Sequence, residues 1–147
     1  VPELPAWLVE GMERLWQGAD FVAQPITLRP LVWMNATASV VLADDASAPR
    51  ALLPARELFT GDSLRGSERA RGPRAEVRAS TQELFVRWAL VAGGSTRDAL
   101  WKLAARSAEE PVTEALFEEV FGFGFSELRD RLSDYLPKAV RATPRLD

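Results

Sequence analysis

The chain has neither cysteine nor histidine among its 147 residues. Without cysteine there is no disulfide framework, no thiolate zinc finger and no thiol nucleophile. Without histidine the commonest general base, the serine triad and nearly every catalytic zinc site are closed to this chain acting alone. No apolar run approaches the ~20 residues a helix needs to cross a bilayer, so no membrane span is expected. The pattern of a secretory signal peptide is also missing. The chain opens on Val1-Pro2 rather than methionine, the start expected of an excised piece or of a processed product. Basic residues are never dense enough for a nucleic-acid footprint. From Arg50 to Arg78 seven arginines face four acids, while from Glu109 to Asp134 eight acids face two arginines. Neither block has the clustered basic face and high pI that nucleic acid demands, and no nucleic-acid partner is expected.

What is present favours a packed core. Five tryptophans and seven phenylalanines supply large surfaces to bury, and a hydrophobic fraction of 47% is ordinary for a folded domain. The expected class is mainly α: a single domain over residues 1–147, a compact array of about five to six helices, with a short β-hairpin allowed near residues 31–43. Leu4, Leu8, Met12 and Leu15 recur at helical spacing and predict a helix over 5–17, with Pro5 in its first turn and Gly18 at its end. Leu31-Val32-Trp33 and Val40-Val41-Leu42 are the hairpin's candidate strands. Residues 54–59 read as a short helix. The Gly-, Ser-, Arg- and Pro-rich stretch 61–79 reads as a surface loop. Ser80-x-x-Glu83 has the form of a capping box opening a helix that ends at Gly93-Gly94. Ser95-x-x-Asp98 suggests the next start. A further helix is expected from about Pro111 to Gly122, with Gly122 as its cap. A last one is expected from Ser126 to Pro137.

The octapeptide Leu4-Pro5-Ala6-Trp7-Leu8-Val9-Glu10-Gly11 resembles the P-x-W-L-x-E-G helix of gluzincin-type zinc peptidases, including the peptidase-MA-like proteins. Leu53 to Phe59 is similar to the short segment those proteins carry after a variable insert, and Leu84 to Leu90 to their following long helix. Glu114 to Gly122, Ser126-Glu127-Leu128 and Tyr135-Leu136 resemble their closing helix pair. The resemblance spans residues 4–136 in the expected order. It implies that Glu10 is the third zinc ligand, brought to a metal whose other ligands are the two histidines of a His-Glu-x-x-His helix. That helix is not in this sequence. Zinc is therefore implied only for an intact parent protein, and no cofactor is expected for this chain alone. The implied partner is the parent's missing N-terminal half or an adjacent domain, with a peptide as substrate.

Other readings stand beside this one. Glu10 falls opposite the Leu4/Leu8/Met12/Leu15 stripe, where a solvated carboxylate paired with Arg14 at i,i+4 accounts for it equally well. Trp7 shares that side. It is either a core residue or the exposed aromatic of a non-catalytic interaction module that docks a partner helix. The arginines Arg65, Arg69, Arg71 and Arg74 read as part of a soluble connector. Glu109, Glu110, Glu114, Glu118 and Glu119 read as the wet face of a packed helix. An enzyme working with carboxylates alone, as a glycosidase does, has no acid pair in an aromatic setting to support it.

Overall fold

The structure, a computed structural model, describes residues 3–22, 25–31, 52–59 and 73–146. Among them the chain runs α1 (Ala6–Gln17), β1 (Ala19–Asp20), β2 (Ile26–Leu28), α2 (Ala55–Phe59), α3 (Pro73–Ala92), α4 (Gly94–Ser107), α5 (Glu114–Phe121), α6 (Phe125–Ala139) and β3 (Arg145–Leu146). The architecture is mainly helical, as composition and periodicity predict, and carries one small antiparallel sheet at positions they do not indicate. Of the hairpin expected near 31–43 only Leu31 is described, and residues 61–72 of the expected loop lie outside the described residues.

The central element is α3, against which α1, α2, α4, α6 and β3 all pack. Every residue from Ser80 to Leu90 is buried, polar ones included. This overturns two expectations. The helix begins at Pro73, so the last part of the 61–79 loop is helical. Ser80 is mid-helix, and the apparent capping box caps nothing. The sequence pattern misled because it takes polar residues as exposed. Here Ser80 and Thr81 are small enough to let neighbours approach, and Thr81 satisfies its hydroxyl by donating to the Val77 carbonyl one turn back (2.6 Å). The same oxygen accepts the Leu53 N–H at 3.3 Å, tying the entry of α2 to the middle of α3.

Around α3 the core is aromatic. Phe85 lies among Trp7, Phe59, Trp88, Phe117 and Phe121, all with ring centroids within 6.4 Å of its own. Phe117 and Phe121, one turn apart on α5, stack at 4.5 Å. Such clusters combine large apolar burial with edge-to-face and offset ring contacts.

Helix ends follow local chemistry. Leu8 and Val9 donate to the carbonyl of Pro5, the N-cap of α1. Thr113 caps α5 by accepting from Leu116 N–H at 3.2 Å. Gly122, with φ 86°, closes the same helix in the left-handed conformation that glycine adopts without a Cβ penalty. At α4 the expected Ser95 cap is not used. Gly93, at φ 65°, takes the N-cap position and the helix starts at Gly94. No side chain of its own N-cap serves α6; Glu114 reaches across from α5 and accepts the Phe125 N–H at 3.1 Å. That helix also runs past Pro137, where the sequence predicts its end, because the later amides of Val140 and Ala142 still reach the carbonyls of Leu136 and Lys138.

The sheet has the order β1-β2-β3, with Ala19 opposite Leu28 and Thr27 opposite Arg145. Leu31 N–H then donates to the Ala139 carbonyl at 2.8 Å, seating the chain on the end of α6. No described helix is long and apolar enough to cross a membrane.

Candidate functional site

The buried face of α1 is Trp7, Leu8, Gly11 and Leu15. The predicted stripe is thus rotated: Leu4 is 63% exposed and Met12 half-buried, while Trp7 turns into the core. Trp7 meets Phe59 edge-on at 5.3 Å and Phe85 at 5.7 Å. The reading of Trp7 as an exposed docking aromatic is corrected accordingly. Among the described residues the large apolar side chains most exposed to solvent are Leu4, Phe21, Val22 and Trp101.

Gly11 explains the glycine that follows Glu10. A Cβ at this position would lie 2.7 Å from Val86 Cγ2 and 2.9 Å from the Gln82 carbonyl oxygen. The α1 and α3 backbones cross there at a distance only glycine permits. Glu10 itself is half-buried, one residue before that crossing. By helical spacing it shares a stripe with Trp7 on one side and with Arg14 and Gln17 on the other.

Arg14 and Gln17 lead into a polar cavity of about 280 Å³. Gly18, Arg29, Glu83 and Arg87 complete most of its lining, so α1, α3 and the turn after β2 meet here. Glu83 and Arg87 stand at i,i+4 on α3 and are 8% and 2% exposed. Arg87 donates to the Arg29 carbonyl and bonds the Tyr135 hydroxyl of α6. Its Nε–H has no partner among the described residues, nor has the Gln82 side-chain oxygen. Burial pushes the Tyr135 hydroxyl above its ordinary pKa, against the opposing pull of Arg87.

Burial likewise raises the Glu83 carboxyl above its ordinary 4.5, with the positive charges of Arg14 and Arg87 offsetting only part of the rise. Protonation is therefore favoured more in the folded chain than in the unfolded one. Glu83's contribution to stability is complete below about pH 4.5 and is lost as pH climbs through the raised folded value. The expected result is that wild type loses stability relative to Glu83→Gln as pH rises from about 4 to 8. Urea unfolding of both proteins across that range is the measurement, and parallel curves would refute it.

The residues in this cavity were not found from sequence, although Glu83 and Arg87 carried a signal. Two opposite charges one turn apart, set within an apolar helix, are unusual enough to mark a buried pair. Glu114, Glu118 and Glu119 are exposed on α5, as a wet face requires, whereas Glu109 and Glu110, also exposed, lie in the turn after α4. Glu110 and Glu119 both bond Arg106, at 2.7 and 3.2 Å, on exposed surface. Arg65, Arg69 and Arg71 lie outside the described residues.

No group of three or more acidic side chains able to hold a metal ion occurs among the described residues. The sequence has no histidine or cysteine to stand beside Glu10 as a ligand. No family model, curated protein or solved structure matches the chain.

Proposed function

We propose that this chain is the helical C-terminal subdomain of a gluzincin-like zinc metallopeptidase, catalytically silent alone, whose role in the parent is to present Glu10 to a metal. The observation that supports this reading is how α1 is held. Trp7, Leu8 and Gly11 are locked into the core, while Glu10 beside them keeps part of its surface open. A ligand supplied from a separate helix needs that combination of a fixed backbone and an accessible carboxylate. The histidine pair and the general base belong to a segment outside this sequence.

The test uses the parent protein. Its reading frame upstream of Val1 is expected to encode His-Glu-x-x-His, and the purified protein to carry zinc by elemental analysis. Glu10→Gln is expected to lower zinc affinity by more than the roughly 10–100-fold typical of losing a supporting residue, with peptide hydrolysis falling alongside. An upstream frame without the motif, or zinc content unchanged by Glu10→Gln, rejects the reading.

A further inference from the structure

A second cavity, of about 300 Å³, lies where α1, α3, α4 and the sheet meet. By helical spacing its α1 residues, Met12 and Trp16, fall on the side of that helix away from Glu10, so the cavity is independent of any metal chemistry. Apart from Arg97, every residue lining it is apolar. Two i,i+4 pairs contribute most of the wall, Met12 and Trp16 on α1 and Arg97 and Trp101 on α4. Ile26 and Leu90 also line it. Trp101 is 43% exposed and Trp16 half-buried, so solvent reaches the site. The Trp16 ring is backed by Phe21, with centroids 5.6 Å apart, which holds that wall in place before any ligand arrives.

Arg97 is the one charge in this apolar setting, and its head group is positioned. One terminal nitrogen, Nη2, donates to the Leu90 carbonyl at 2.9 Å. Nε is shut off from solvent, but the other terminal nitrogen, Nη1, is not, and it has no bond among the described residues. No described carboxylate forms an ion pair with Arg97. Nη1 is therefore the donor left for a ligand. An apolar cleft with a single placed polar group is the common form of a small-molecule site, in which the walls supply affinity and the polar group fixes orientation.

We propose that this cavity binds a small apolar carboxylate, its chain or ring against Trp16 and Trp101 and its acid group on Arg97. A guanidinium bonds a carboxylate through charge-assisted N–H donors, the strong class of hydrogen bond. A neutral ligand of the same shape leaves that charge unused. A cationic one meets it with no acid in the lining to offset the repulsion. At about 300 Å³ the space stands at the lower end of the ~300–1,000 Å³ usual for ligand pockets, which suits one short chain or ring.

The experiment follows the indole N–H signals of the isotope-labelled 147-residue chain by NMR, with Trp16 and Trp101 assigned from their Trp→Phe variants. Octanoate, octanol and octylamine are added in separate titrations at neutral pH and fixed ionic strength; they share a chain and differ in the head group. Octanoate is expected to shift the Trp16 and Trp101 signals saturably and to leave those of Trp7 and Trp88 in place. It should bind about tenfold or more tightly than octanol, the contribution of one charge-assisted bond, with octylamine weakest. Arg97→Gln, checked for folding by thermal unfolding, is expected to bring octanoate down to the affinity of octanol. Trp101→Ala should weaken both. Octanoate that shifts neither indole saturably overturns the proposal. So does octanol binding wild type as tightly as octanoate, a comparison that stands whether or not Arg97→Gln folds. A folded Arg97→Gln chain with undiminished octanoate affinity overturns it as well.

Discussion

Trp7→Ala is expected to destabilise the chain by about 3–5 kcal/mol, the range for truncating a buried aromatic. Against a typical total of about 5–15 kcal/mol, that is enough to leave a large unfolded fraction. The cost is high because the indole packs edge-on against both Phe59 on α2 and Phe85 on α3, completing a cluster in which those two rings also meet each other. The residue is 2% exposed, so little of the lost contact is recoverable by solvent. Trp7→Phe supplies the control. Among the described residues the indole N–H has no partner, and removing a buried unmatched donor recovers part of the lost packing energy. Phenylalanine should therefore cost much less than alanine. Chemical denaturation of the three proteins measures both effects. A Trp7→Ala chain as stable as wild type, but altered in self-association, would instead restore the docking role.

The second large effect is at Gly11. Replacing a helical glycine by alanine on an open surface gains about 1 kcal/mol from helix propensity. At Gly11 the sign should reverse. The new Cβ would meet Val86 Cγ2 at 2.7 Å, which a side-chain shift can relieve. It would also meet the Gln82 carbonyl oxygen at 2.9 Å, which cannot move without bending α3. Gly11→Val, bulkier and β-branched, is expected to cost about 3 kcal/mol, the upper end for overpacking. Gly11→Ala should cost less but remain destabilising. A stability gain of about 1 kcal/mol for Gly11→Ala, the open-surface outcome, would show that the helices do not cross there as described.

These two residues also show what could be read in advance. The helix over 5–17 was legible from the spacing of Leu8 and Leu15, and its end from Gly18. Its rotation was not legible, because Leu4 and Met12 are as apolar as Trp7 and Gly11 carries no hydrophobic signal at all. Only the proximity of α3 reveals that the smallest side chain lies deepest. The start of α3 was hidden for a related reason. Ser80, Thr81 and Glu83 have the composition of a helix entrance, and tertiary contacts rather than propensity put them inside. The sheet was out of reach of local pattern. Its strands are two or three residues long, and Thr27 pairs with Arg145, near the other end of the chain. Of the candidate site, Glu10 was visible through a motif, whereas the arginines that build the cavity come together from three separate elements.

Leu31 is moored to the end of α6 through the Ala139 carbonyl, and Leu53 to the middle of α3 through the Thr81 hydroxyl. That one hydroxyl also donates to the Val77 carbonyl. A methyl group in its place, as in Thr81→Val, would keep the shape of the side chain and strand the buried Leu53 amide, so a single oxygen decides whether α2 stays fastened to the helix behind it.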